Sequence, residues 1–158
     1  MRRPLTLWIV IADSEHARFV YPDRDNVLRT MHAVDAAFAH RRASDIVTDR
    51  RGRSFEGASP ARHGVSDRHD PHFLEKQRFA LLIAEQLNEA SDRDDFDKLL
   101  LVAPPDTLHE LRQGLDATAA EKLVGSLEKD LCKTPDHELW PHLRQWVSPE
   151  RHPVAWPR

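Results

Sequence analysis

The sequence predicts a single α/β domain built on a mixed sheet, with an N-terminal hairpin and helices packed on the sheet. Three observations carry this. Residues 5–12 and 99–103 are near-continuous apolar runs of strand length, and residues 73–90 between them repeat with a helical period. The chain of 158 residues, 40% hydrophobic, can fill one core but not two.

Leu5-Thr-Leu-Trp-Ile-Val-Ile-Ala12 is apolar on both faces, as a central strand requires, and at eight residues is far short of the ~20 needed to cross a bilayer in a helix. Asp13-Ser-Glu15 breaks the run. Ala17-Arg-Phe-Val-Tyr21 resumes with strand formers, and Pro22-Asp23 ends it, so residues 5–21 read as a hairpin. Val27 to Val34 is expected to add a third strand. From Asp35 to Asp70 periodicity disappears. Three of the five glycines and seven arginines fall in this stretch, so residues 41–69 are expected to be a mobile loop and a place to look for a site.

Asp70-Pro71 supplies an N-cap and a first-turn proline for a helix in which Phe79, Ile83 and Leu87 form one apolar face. An acidic connector over 92–97 leads into Lys98-Leu-Leu-Leu-Val-Ala103, the clearest buried strand, stopped by Pro104-Pro105. Thr107-Leu-His-Glu110 has capping-box spacing and is expected to open a short helix closed by Gly114. A further short helix is expected over 117–124, followed by a stretch to Leu131 that reads as strand or coil. Thr134-Pro135 is expected to cap a last helix through Leu143, with Trp140 and Leu143 sealing it on the sheet. Residues 1–147 thus form the domain, and residues 148–158, with three prolines and Trp156, a tail.

Formal charge is −3, so no global field marks a nucleic-acid-coating protein. The single cysteine, Cys132, cannot form an internal disulfide, which fits a cytoplasmic protein. Neither a secretory signal nor a membrane segment is expected. Lys133 beside Cys132 would favour the thiolate; a buried inert thiol is the preferred reading.

Local clusters carry the functional reading. Arg50, Arg51 and Arg53 surround Gly52, and Phe55 follows, a combination suited to gripping phosphates and stacking on a base. Asp45, Asp49 and Glu56 flank the cluster and could neutralise it. His63, Asp67, His69, Asp70 and His72 include metal-ligand types, yet their spacing matches no compact site. No metal site is therefore assigned; His63, His69 and His72 are its only candidates. Asp13, Ser14, Glu15 and His16 end a buried strand, where α/β folds place reactive groups, but neighbours on a turn point apart. Turn chemistry is the preferred reading there, and helix surface for His109.

The order of segments also resembles a known family. Trp8-Ile-Val-Ile-Ala-Asp13 with Ala17-Arg18, Asp49-Arg-Arg-Gly-Arg-Ser-Phe55, Phe79-Ala80, Ala84-Glu-Gln-Leu87, Leu101-Val-Ala-Pro-Pro105, Leu108, Leu111-Arg112, Lys129-Asp-Leu131 and Glu138-Leu139 look like the bacterial host-attachment proteins. That family is similar in turn to the middle domain of archaeal and eukaryotic peptide-release factors and Pelota. The resemblance, over roughly residues 5–145, implies an RNase H-like fold and a distant tie to the ribosome. The chain departs from the family at His109, where glycine is usual, and at Cys132, where threonine is usual. It has no Gly-Gly-Gln loop, so peptidyl-tRNA hydrolysis is not implied.

The expectation is a non-enzymatic intracellular domain that contacts RNA or the ribosome through Arg50, Arg51, Arg53 and Phe55. It needs no cofactor, has no catalytic residue and does not associate with a membrane. The alternative is a small hydrolase of phosphoesters or peptidyl-RNA, using the Asp13–His16 turn or the His63–His72 tract. No nucleophile elbow, phosphate-binding glycine loop or His-Glu-x-x-His motif supports that alternative.

Overall fold

The computed structural model describes residues 5–37 and 71–147. The expected loop 41–69, the cap Asp70 and the tail 148–158 lie outside the described residues.

Three antiparallel strands open the chain: β1 (Leu7–Ala12), β2 (His16–Pro22) and β3 (Leu28–Asp35). Helix α1 (Pro71–Asp92) then leads to β4 (Lys98–Val102), which pairs parallel with β1. Helices α2 (Pro105–Gly114) and α3 (Ala117–Glu121) lead to β5 (Leu123–Leu127), parallel to β4. A 3₁₀ turn (Asp136–Glu138) and α4 (Trp140–Val147) follow. The sheet order is β3-β2-β1-β4-β5, so the two most apolar segments of the sequence lie side by side in its interior.

Alternation along the strands divides the core in two. Val10, Ala12, Phe19, Leu99 and Leu101 face α1 and α2, meeting Phe79, Ile83, Leu87, Leu108 and Leu111. Ile9, Ile11, Val20, Leu100 and Val102 face the opposite way, onto Leu131, Leu139, Leu143 and Val147. The result is a three-layer α/β/α domain. Trp8 extends the first core, its ring tilted against Phe96 at 4.9 Å and edge-on to Phe19 at 5.9 Å.

Both edge strands are irregular. The β2–β3 register shifts between Phe19 and Val20, and the β4–β5 register between Leu99 and Leu100. These bulges leave Met31 and Val124 exposed at opposite edges and interrupt the regular ladder that another strand would need.

Several expected boundaries move. Helix α2 starts at Pro105 with Pro104 as its N-cap and no side-chain cap bond, so Thr107 lies inside the helix. The proline supplies a helical φ and lacks only an N–H that the first turn leaves unpaired anyway. Helix α3 stops at Glu121, its start held by the Asp116 carboxylate accepting from the Ala119 amide at 2.9 Å. Residues 123–127 are strand because β4 offers them an open parallel edge. The segment after Pro135 is a 3₁₀ turn followed by a helix that runs past Leu143 to Val147. Leu139, Leu143 and Val147 seal that helix, while Trp140 is exposed and Trp146 rests against Gly125.

Gly114 has a packing role beyond ending α2. A Cβ there would lie 2.7 Å from the Ala84 Cβ and 3.2 Å from Leu81, so its absence sets how closely α1 and α2 approach. Asn88 of α1 clasps the joint beyond it, donating to the Gly114 carbonyl at 3.0 Å and accepting from the Asp116 amide at 2.9 Å.

Candidate functional site

Strands β1 and β4 are parallel neighbours, so Asp13 and Ala103 emerge at the same edge of the sheet, the edge where open α/β sheets hold ligands. The Asp13–His16 segment is a tight hairpin turn. The Asp13 amide donates to the His16 carbonyl at 2.8 Å, and Asp13 Oδ1 accepts from the amides of Glu15 at 2.8 Å and His16 at 2.6 Å. His16 Nδ1 lies 3.3 Å from the same oxygen. Acid and imidazole thus serve the turn, as a short carboxylate followed by a bend favours.

The loop after β5 reaches this turn from more than 110 residues away in sequence. Potential ligand atoms of Asp13, Asp130 and Cys132 lie within 4.8 Å of one another. The Cys132 thiol donates toward the His16 carbonyl at 3.7 Å. Burial pushes this thiol up to about 12; the negative charges of Asp13 and Asp130 and a hydrogen bond to Asp13 act in the same direction, against a smaller opposing pull from Arg18. Burial first and the nearby carboxylates second keep the thiol neutral, in line with the inert thiol preferred from the sequence.

Arg18, on β2, fastens the loop from the sheet side. Its guanidinium donates to the carbonyls of Leu131, at 3.3 Å, and Thr134. Asp136 makes a further tie, accepting from the Thr30 amide at 2.9 Å and its hydroxyl at 2.6 Å. Burial opposes ionisation of Asp136, yet the two Thr30 hydrogen bonds and the charges of Arg18 and Arg29 hold its carboxyl below the usual range. Two carboxylates and a thiol are donor types that cation sites use, and exposed acidic groups such as Asp130 commonly gather without an ion.

Of the residues singled out in the sequence, Arg50, Arg51, Arg53 and Phe55 lie outside the described residues, as do His63 and His69. His72 falls within α1, its side chain outside the described set. His109 is exposed on α2. The structure adds Arg18, Asp130 and Asp136, which sequence reasoning missed. Ala17-Arg18 and Lys129-Asp-Leu131 within the family pattern were the signals that could have pointed to Arg18 and to this loop.

The chain is thus a three-layer mixed-sheet α/β domain whose carboxyl edge carries an acid–thiol cluster tied down by an arginine. A family model described as "Protein required for attachment to host cells" matches residues 8–143, most of the chain, and the protein belongs to that family. The family's name points to a function in host attachment. No curated protein gives a significant match. Among the described residues, no helix is long and apolar enough to cross a membrane.

Proposed function

We propose that this protein is a non-catalytic binding domain that serves host attachment from the cytoplasm, contacting RNA or the ribosome through Arg50, Arg51, Arg53 and Phe55. The observation that carries the non-catalytic half is the state of the sheet's carboxyl edge. There the Asp13 carboxylate is engaged by two turn amides, and the thiol beside it is neutral far above physiological pH. A hydrolase at this edge would need a free base and an activated nucleophile. A neutral lone cysteine is also in keeping with a reducing compartment. The RNase H-like, release-factor-like reading draws support from the antiparallel meander continued by two parallel strands, with helices on both faces. The polyanion contact rests on the Arg50-Arg-Gly-Arg53 cluster and the family resemblance.

Co-sedimentation with ribosomes from the native cell, in low and high salt, tests the reading. Binding should weaken steeply with salt, and replacing Arg50, Arg51 and Arg53 together with Gln should flatten the log–log slope by roughly 2–3 units, if each holds one phosphate. Asp49→Asn with Glu56→Gln should strengthen binding. Equal affinity and equal salt slope for wild type and the triple variant, on ribosomes and on structured and single-stranded RNA, would overturn the proposal.

A further inference from the structure

We draw no further inference here: the strongest candidate, the Asp13–Asp130–Cys132 side-chain cluster at the carboxyl edge of the sheet, is an acidic pair with a lone cysteine, and no second observation points to a ligand there.

Discussion

Among the described residues, Cys132 is where the fold alters side-chain chemistry most, and the change has a consequence for its reactivity. Its pKa rises from 9.0 to about 12. Each unit is a tenfold change in thiolate population, so at pH 8 the native protein should hold about 10³-fold less thiolate than the unfolded chain. Alkylation by iodoacetamide, followed by mass spectrometry in buffer and in denaturing urea, should differ by about that factor. Asp130→Asn removes one of the two negative charges facing the sulfur and should speed native alkylation while leaving the unfolded rate unchanged.

The same shift has a consequence for stability. A thiol whose folded value lies above its unfolded value contributes stability that is complete below about pH 9 and is lost as pH rises toward 12. Stability of the wild type should therefore fall more steeply across that window than stability of Cys132→Ser, whose hydroxyl does not titrate there. Native alkylation within tenfold of the unfolded rate, together with equal alkaline slopes for the two proteins, would refute the reasoning.

Other perturbations test the fold. Leu101 is fully buried on β4, so Leu101→Asp should abolish folding by burying an unpaired charge; a soluble variant with an unchanged thermal midpoint would remove Leu101 from the core. Gly114→Ala should destabilise by about 1–2 kcal/mol in urea titration, because the clash with Ala84 outweighs the gain in helix propensity. Adding Ala84→Gly should recover part of that loss, and strictly additive effects would contradict the contact. Asp136→Asn should cost about 1–2 kcal/mol at pH 7 through its bonds to Thr30. Because the folded carboxyl sits below its ordinary value of 3.8, that difference should shrink as pH falls below 4. A difference independent of pH would mean that the charge of Asp136 is not what stabilises the segment.

The elements legible in the sequence share one property: their signal is local. Leu7–Ala12 and Leu99–Ala103 are apolar without interruption because the sheet interior covers both their faces, and that demand is written residue by residue. The Phe79, Ile83, Leu87 spacing encodes the buried face of α1 in the same way. Asp13 could be read as a turn residue because its turn hydrogen bonds, to Glu15 and His16, reach no further than three positions.

Tertiary structure decided the features that depend on distant partners. Residues 123–127 have weak strand character of their own and became β5 because β4 presents a free parallel edge. The reason for Gly114 lies in Ala84, on another helix, and no rule about helix ends contains it. For Cys132 the neutral, inert thiol preferred from the sequence is what the fold produces. Its causes, burial first and then the charges of Asp13, brought across the sheet edge, and of Asp130, are not written beside it in the chain. Electrostatic energy depends on separation and burial in three dimensions, and the chain's order specifies neither until the layers have packed.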